Sequence, residues 1–508
     1  MKNLVVNNLY KKEIALRTPP NAKSILIGIL LEPVQKVHKF YKKNKMHLRK
    51  NGKMEVTKQS KIRYARCIFM DLQLELLPHY YYYNTLGFDP ELIDYIDHVD
   101  DMVVLQKVYP LYKDGGRSPV DPRVCFRMHY LYFTRPEISS FRELVRQLKE
   151  PKNQAWRNFI GVPTIKEVPV HSSLSHFRTK VTAELFYEIL FDLIAQALKL
   201  KDFVQPMLSG IDSRPIWANV NGYKHKRCDC QDQKQCVCEK SYSDPDATCG
   251  VQRNKANHNK FFIGYRKHSI VCPSPNGPIV LFSIILPNDT ADGKVMLPLI
   301  EMMKKIKGLK VDYLVADLGY FDANDQMEAL LDHDVAVVTE IKKNTIVPKH
   351  CSPEGKPECE QGHALQFDGF DKDTYTAWFR GDEEKCAACP LQGLCEKQFD
   401  YSFTENPFFY GPVPQDSLLQ DYMLKFRKQV ELAFAQESNQ LTSIMKHKKV
   451  PVRTTKRVEK WFILRDAFRL IQRMVAHVRI TVLPANHIAT IKKMQEIQLE
   501  QISLPLAV

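Results

Sequence analysis

Several features that mark common protein classes are missing from this sequence of 508 residues. No apolar run approaches the roughly 18 residues that a membrane-spanning helix requires. The stretch IVLFSIIL at 279–286 is typical of the longest runs. The chain begins MKNLVVNNLYKK, which has neither an apolar signal region nor a small-residue cleavage site. We therefore expect a soluble, cytoplasmic protein without a membrane partner.

The signature loops of several enzyme classes are missing as well. There is no Walker A loop, dinucleotide-binding fingerprint or Gly-x-Ser-x-Gly elbow, which disfavours ATP use, redox chemistry and serine hydrolysis. None of the 16 histidines belongs to an HExxH-type zinc motif. His268, in GYRKH, is more typical of a residue that packs within a strand than of a metal ligand.

Acidic residues are scarce in residues 1–70, which hold 17 Lys or Arg but only 3 Asp or Glu. This segment carries +14 of the chain's formal net charge of +15. The stretch 445–480 is also basic, with 11 Lys or Arg and 2 Asp or Glu. Clustered positive charge favours a polyanionic partner, because neutralised phosphates release counterions. A solvated basic arm is the alternative for residues 1–70.

Cysteine is abundant, with 13 residues, most of which fall in two clusters. In a chain without a secretion signal, metal binding is more typical of such clusters than disulfides are. Four thiolates can form a closed tetrahedral zinc site, which stabilises segments that lack a core. We predict structural zinc at two sets, Cys228, Cys230, Cys236 and Cys238, and Cys351, Cys386, Cys389 and Cys395. Reduced thiols without metal, and an iron–sulfur cluster, are the alternatives.

Secondary-structure signals divide the chain into five regions. Residues 91–200 read as short capped helices with basic faces, which suggests a helical DNA-binding domain. Asp121–Pro122, Ser140 with Glu143, and Ser172 or Ser173 are predicted helix starts. Residues 346–412 show few strand or helix signals. We predict a basic region 1–90, this helical domain 91–200, a catalytic core 201–345 plus 413–483, a Cys-rich insertion 346–412 and a tail 484–508.

Residues 205–345 alternate between apolar, β-branched runs and amphipathic helices. The order is β-β-β-α-β-α-β, which predicts three antiparallel strands followed by parallel strands with right-handed crossovers. In such a mixed sheet, acids that follow the first and fourth strands lie at the same end. The strand runs are 206–211, 261–271, 278–286, 311–317 and 335–340.

Three carboxylates stand out in this pattern. Asp212 follows an apolar run in MLSGIDSRPIW, Asp317 follows another in VDYLVADLGYFD, and Glu431 lies in the helical stretch KFRKQVELAFAQ. Two Asp on strands and a Glu on a helix suit a two-metal phosphoryl-transfer site that holds Mg²⁺ or Mn²⁺. Other acids compete for these roles, namely Asp244 and Asp246 for the first position and Asp312 and Asp322 for the second.

Over about residues 91–480 the sequence resembles the DDE transposases of bacterial insertion sequences. The resemblance implies a ribonuclease-H-like mixed α/β sheet core with a Cys-rich insertion, preceded by an all-α DNA-binding domain. Each motif alone is modest, but their order is specific. The motifs are DGGRSPVDPRVCFRMHYLYF, WRNFIGVPTIKEVPVHSSLSHFR, GIDSRPIWANV, SDPDAT, FFIGYRKHSIV, ILPNDTADGKVMLPLI, ADLGYFD and RKQVE.

The resemblance assigns the acidic triad to Asp212, Asp317 and Glu431. It implies divalent-metal cleavage of double-stranded DNA at the element's terminal repeats and strand transfer into target DNA. A homodimer or larger assembly on DNA, associated with the bacterial nucleoid, is also implied. Arg427, Arg214 and Tyr320 are candidate DNA-binding residues because they lie beside the triad positions.

The family's Tyr-x2-Arg-x3-Glu-x6-Lys signature is only partly present. Arg427 and Glu431 fit it, but Leu424 and Ser438 occupy the Tyr and Lys positions. Two alternatives therefore stay open. One is a catalytically decayed DNA-binding relic, and the other is a metal-dependent nuclease of the same fold that cuts without joining.

Overall fold

The structure is a computed structural model that describes residues 89–112, 119–226, 228, 230, 236–253, 259–440 and 449–479. The helices and strands described below belong to one compact unit of the chain. The predicted basic region, except for its last residues, and the predicted tail lie outside the described residues. Within the described ranges, no helix combines the length and apolarity needed to cross a membrane.

The first part of the described chain is helical. Asp121 starts the third helix by accepting a hydrogen bond from the Arg123 amide at 2.8 Å, and Ser140 caps the fourth through the Glu143 amide at 3.1 Å. Both starts agree with the sequence prediction. The helices are α1 Pro90–His98, α2 Met102–Val108, α3 Pro122–Thr134, α4 Phe141–Lys149, α5 Gln154–Phe159, α6 His171–Lys180 and α7 Ala183–Ala197.

The predicted start of α6 was wrong. The helix begins at His171 with Val170 at the N-cap position and no side-chain cap, so Ser172 and Ser173 lie inside its first turn. Some of the basic residues on these helices are buried in the core rather than exposed on a basic face. Arg127, for example, is buried and bonds Asp101 at 2.6 Å.

A mixed sheet forms the centre of the following part. The strands up to residue 340 are β1 Leu208–Trp217, β2 His225–Lys226, β3 Lys240–Ser241, β4 Thr248–Arg253, β5 Asn259–Cys272, β6 Ile279–Pro287, β7 Tyr313–Val315 and β8 Ala336–Val338. The sheet runs β6–β5–β1–β7–β8, and β4 pairs with the first half of β5. Strand β5 is antiparallel to both of its neighbours, β6 and β1, whereas β1, β7 and β8 are parallel. The succession of antiparallel and then parallel pairing agrees with the sequence prediction, but β2, β3 and β4 were not predicted.

Helices cover the sheet. In chain order the remaining helices are α8 Met296–Lys304, α9 Ala323–Leu331, α10 Glu383–Ala387, α11 Leu418–Lys425, α12 Arg427–Gln440 and α13 Thr455–Arg479. Helix α12 packs against β1, and α13 packs against β6, α7 and α1. Trp461 and Phe468 of α13 are buried among aromatic side chains of α3. Helix α13 therefore joins the helical part and the sheet in one hydrophobic core.

The Cys-rich segment 346–412 contains a second sheet, so the expectation of few strands there was wrong. Strands β9 Gln366–Asp371, β10 Thr376–Arg380 and β11 Gln398–Ser402 pair antiparallel in the order β11–β10–β9. Ala377 and Phe379 alternate toward a small aromatic core, where the Tyr401 and Tyr410 rings stack at 4.6 Å. Phe408 of the same segment stacks on Phe321, with ring centroids 3.8 Å apart and planes inclined by 7°.

Candidate active site

Asp212 and Asp317 lie at the same end of neighbouring parallel strands. Gly210 of β1 is the register partner of Val315, the last residue of β7, and each Asp follows its paired residue by two positions. Both side chains are partly exposed. The sequence predicted this juxtaposition, because parallel strands joined by a crossover present the same end to the same edge of the sheet.

Asp212 is the carboxylate with the most perturbed acidity at this edge. Its pKa is raised to about 7, mainly by burial and also by the charges of Asp317 and Asp292. A hydrogen bond from the Ser213 amide, at 2.7 Å, and the Arg427 charge act in the opposite direction. A carboxylate whose pKa is raised by neighbouring negative charges favours the arrival of a positive charge.

Asp317 also organises the backbone that follows it. Its Oδ1 accepts a hydrogen bond from the Gly319 amide at 2.7 Å and caps a short 3-10 turn, Leu318–Tyr320. Gly319 is tightly placed, since a Cβ on it would lie 2.8 Å from Asp317 Oδ1 and 3.0 Å from Asp292 Oδ2. The missing side chain thus lets two carboxylates approach the same stretch of backbone.

Glu431 reaches this region from α12, which approaches β1 closely at Gly210. A Cβ on Gly210 would lie 2.5 Å from Val430 Cγ2, so a glycine is needed for this packing distance. Val430 is buried and Glu431, the next residue, is exposed. Helix α12 therefore packs Val430 against β1 at Gly210, two residues before Asp212, and Glu431, the next residue of the helix, is exposed to solvent.

The three carboxylates do not form a closed group of ligands. Within the described residues, the only set of three or more His, Cys, Asp or Glu ligand atoms all within 4.8 Å of one another consists of cysteines. The structure therefore places Asp212 and Asp317 together at the sheet edge, and Glu431 on α12 one residue after the Val430 contact with β1, without a compact carboxylate cage.

Sequence reasoning missed Asp292, which joins Asp212 and Asp317. It lies in the loop after β6, 3.3 Å from Arg266 Nη1 and 3.9 Å from His268 Nε2. Burial raises its pKa, Arg266 lowers it, and Asp317 raises it. A signal was present, because Asp292 follows an apolar strand run in ILPNDTADGK as the other two aspartates follow theirs.

Tyr320 and His268 form a buried layer beneath these carboxylates. The Tyr320 hydroxyl oxygen and His268 Nδ1 are 2.9 Å apart, and both side chains are fully buried. Burial lowers the pKa of His268 to about 3, so it is neutral at physiological pH. Burial also raises the pKa of Tyr320, and the negative charges of Asp292, Asp212 and Asp317 raise it as well. The structure thus leaves no surface at Tyr320 for the DNA contact predicted from the sequence.

The two arginines predicted to touch DNA differ in their surroundings. Arg427 is partly exposed, lies 3.8 Å from Glu340, and its charge lowers the pKa of Asp212. Arg214 is buried, with its guanidinium 2.9 Å from Glu437 Oε2 and 5.6 Å from the centre of the Phe434 ring. Arg427 therefore stays a candidate for phosphate contact, whereas we now interpret Arg214 as a core residue that holds α12.

A buried ion network anchors α12 below Glu431. The carboxylate oxygens of Glu437 lie 2.5 Å from the Lys267 ammonium nitrogen, and 2.9 Å and 3.1 Å from guanidinium nitrogens of Arg214 and Arg465. Burial opposes the ionisation of Glu437, but these three cations hold its pKa well below the usual value. Lys267 also contacts Asp466 at 2.7 Å, and Asp466 accepts from the Ser283 hydroxyl at 2.7 Å. The network connects α12 and α13 to strands β1, β5 and β6.

The acids that competed with the triad have structural roles instead. Asp244 accepts hydrogen bonds from the Tyr265 hydroxyl at 2.7 Å and the Thr454 amide at 2.9 Å, and Asp246 accepts from the Thr455 amide at 2.8 Å. Both therefore fix the start of α13. Asp322 caps α9 through the Asn324 amide at 3.0 Å, and Asp312 lies 3.7 Å from Lys310.

The two predicted cysteine sites also differ. Cys228, Cys230, Cys236 and Cys238 converge, with all four sulfur atoms within 4.8 Å of one another. The second predicted set is not gathered in this way, although its members are all described. Cys351 Sγ lies 3.9 Å from the Tyr410 hydroxyl, beside the small aromatic core. Cys386 lies on α10, and Cys389 and Cys395 lie in the turns that follow it.

Comparison with known families identifies the class of protein. Residues 89–180 match a family model described as a transposase domain (DUF772), and residues 240–471 match one described as a transposase DDE domain. Both descriptions are of transposases, which confirms the resemblance inferred from the motifs. The chain belongs to the DDE transposases. Asp317 and Glu431 lie inside the second matched segment, and Asp212 precedes it.

Other comparisons add little to this family assignment. No curated protein matches the sequence. Among solved structures, the chain is similar to a cryo-EM structure of the piggyBac transposase synaptic complex with hairpin DNA, at a TM-score of 0.35 and 8% sequence identity. That alignment covers 83% of this chain and 82% of the other. A likeness this remote carries no argument about site or mechanism.

Proposed function

We propose that this transposase cleaves double-stranded DNA at the ends of a bacterial insertion sequence and transfers the resulting 3′ ends to target DNA. Asp212, Asp317 and Glu431 are its proposed catalytic carboxylates. The observation that carries the proposal is the shared register of Asp212 and Asp317 on parallel strands, with α12 packed against the same strand. The family assignment supplies the reaction class.

We further propose that the sheet is a ribonuclease-H-like core. Three antiparallel strands followed by two parallel strands, in the order β6–β5–β1–β7–β8, support this interpretation. The two aspartates lie on or just after the central strands, and α12 approaches from the sheet face. The Cys-rich segment 346–412, which enters between β8 and α11, would then be an insertion into this core.

The residues at the sheet edge fit a hard divalent cation. Asp212, Asp317 and Glu431 would hold Mg²⁺ or Mn²⁺, because these ions prefer oxygen ligands. Burial raises the pKa values of Asp212 and Asp292, and the charge of Asp317 raises both as well, which supports the fit because a cation would offset that repulsion. Ions held there would stabilise the charges that develop on the attacking and leaving oxygens of the phosphodiester.

The chain's own residues orient the reaction. Arg427 lies on the solvent side near Asp212 and would hold a DNA phosphate in line with the attacking oxygen. The neutral His268–Tyr320 pair gives the site a rigid, buried floor. Asp292 and Arg266 close the side of the site formed by the loop after β6.

A labelled DNA that carries the element's own ends tests the proposal. With Mg²⁺ or Mn²⁺, wild-type protein should give cleaved and joined products. Glu431→Ala should lower their yield by on the order of 10²-fold or more, because a group that stabilises the transition state is lost. Glu328→Ala, an exposed glutamate on α9, is the matched control and should leave the yield unchanged.

The same assay separates the alternatives. Cleavage without joining would indicate a nuclease of the same fold. Binding of the ends without any metal-dependent product would indicate a decayed relic, which the Leu424 and Ser438 departures from the signature keep open. Because two element ends must be joined, we propose a homodimer or larger complex on DNA, acting at the nucleoid. A measured one-to-one complex of chain and DNA end during joining would contradict that assembly.

A further inference from the structure

Four cysteine sulfurs converge beside a minimal β-hairpin. Strands β2 and β3 contribute two residues each and pair antiparallel, with His225 opposite Ser241 and Lys226 opposite Lys240. Cys228 and Cys230 follow β2, and Cys236 and Cys238 precede β3. The four therefore belong to one excursion of the chain between β1 and β4, outside the carboxylate site.

The sulfur–sulfur distances suit a common central ion. Cys228 and Cys236 sulfurs are 3.0 Å apart, Cys230 and Cys238 sulfurs are 3.8 Å apart, and all four lie within 4.8 Å of one another. A zinc ion bound tetrahedrally at roughly 2.3 Å from each sulfur would separate the sulfurs by about 3.8 Å. The observed cluster is close to that arrangement, and no disulfide links any of its members.

Most of the described side chains of this hairpin are exposed, and Lys226 donates a hydrogen bond to the Cys236 carbonyl oxygen. Val237, between two of the cysteines, is 98% exposed, and Tyr223 before β2 is 76% exposed. Two strands of two residues are far below the size that is stable alone in water. Lys226 and Lys240 face each other across the pair, and like charges in that position are destabilising. Four thiolates around a divalent cation carry a net charge of −2, which would offset both lysines.

We propose that Cys228, Cys230, Cys236 and Cys238 bind one zinc ion in a closed, structural site that fixes this hairpin. Each thiol gives up its proton on binding, and no position is left for a substrate. The proposal does not depend on the proposed DNA chemistry. The hairpin would keep its zinc in a protein that has lost the acidic triad.

The first test is metal content. The full-length protein, purified without added metal and dialysed against buffer, is assayed for zinc and iron by plasma mass spectrometry. The variant Cys230→Ser/Cys238→Ser should contain one equivalent of zinc per chain less than wild type. Cys249→Ser, an exposed cysteine on β4 outside the cluster, is the matched control and should contain as much as wild type. Equal zinc in all three proteins, or iron in place of zinc, would overturn the proposal.

A second test uses wild-type protein alone and so does not depend on how a variant folds. Peptide mapping after alkylation compares the four cysteines with Cys249, before and after a strong zinc chelator. We expect the four to be protected until the chelator is added, while Cys249 reacts throughout. Alkylation of the four at the Cys249 rate before chelation would refute the site. Disulfides between Cys228 and Cys236 and between Cys230 and Cys238 would refute it equally.

Discussion

Removing the charge of Glu437 should destabilise the whole fold, because this side chain is the shared partner of three buried cations. Lys267 is fully buried, and the side chains of Arg465 and Arg214 are 3% and 9% exposed. Glu437→Gln keeps the size of the side chain and removes the charge. The three cations would then lie in the core without their common counterion.

The expected loss follows from what each cation retains. Breaking a buried ion pair by removing one partner costs about 3–5 kcal/mol. Lys267 keeps Asp466 at 2.7 Å, and Arg465 keeps the Glu437 carbonyl oxygen at 2.9 Å. We therefore expect the lower end, about 3 kcal/mol of unfolding free energy, from equilibrium denaturation by urea at neutral pH.

Glu188→Gln is the matched control, since it removes the same charge from a pair with Lys107 in which the Glu188 side chain is 56% exposed. That change should cost about 0.5 kcal/mol or less. A loss below about 1 kcal/mol for Glu437→Gln would refute the reasoning, because it would mean that the three cations need no buried counterion.

We also predict how the stability difference between wild type and Glu437→Gln depends on pH. The folded-state pKa of Glu437 lies below its ordinary value of 4.5, so its ionised form contributes stability that is fully present above pH 4.5. That contribution is lost as the pH falls below this value. The difference in unfolding free energy between wild type and Glu437→Gln should therefore be constant above pH 4.5 and shrink on acidification. A difference that grows on acidification would contradict the assigned sign.

Three further predictions concern the site itself. Gly210→Ala places a Cβ 2.5 Å from Val430 Cγ2, so the variant should fold but be roughly 1–3 kcal/mol less stable by circular dichroism during denaturation. It should also make less joined DNA. Adding Val430→Ala should restore both the stability and the joining. Asp292→Asn should lower cleavage while end binding stays unchanged, and wild-type cleavage rates would exclude Asp292 from the site. Arg427→Gln should weaken cleavage and reduce the salt dependence of DNA binding by about one phosphate contact, measured as the slope of log K against log salt.

The sheet was largely predictable because its strands are apolar, β-branched runs with local signals. The prediction for β1 ended at residue 211, but the strand continues to Trp217. Its second half holds Asp212, Arg214 and Pro215, and only the ladder with β5 keeps this polar stretch extended. Strands β9–β11 were missed because their single buried face is made of scattered aromatic residues rather than a continuous apolar run.

The candidate site was less predictable, because its neighbours come from distant parts of the sequence. Lys267 and its partner Glu437 are 170 residues apart in the sequence. Arg214 contacts the same Glu437, so the sequence around Arg214 gave no sign that it is buried beside a carboxylate. Tyr320 looked available beside Asp317, but its partner His268 lies on another strand. Spacing along the chain identified the carboxylates, whereas their surroundings depend on tertiary packing.

The stacked pair Phe321 and Phe408 gives the Cys-rich segment a mechanical role. Phe321 ends the turn that Asp317 caps, and its ring lies flat on Phe408 at 3.8 Å. A force or a ligand that displaces strands β9–β11 would therefore act, through the contact between these two rings, on the backbone that follows Asp317. Removing this segment to obtain a minimal catalytic fragment would take away the ring that covers Phe321 and leave Lys342, 5.0 Å from the Phe321 ring centre, as its remaining contact of this kind, so the turn that follows Asp317 would be held less firmly.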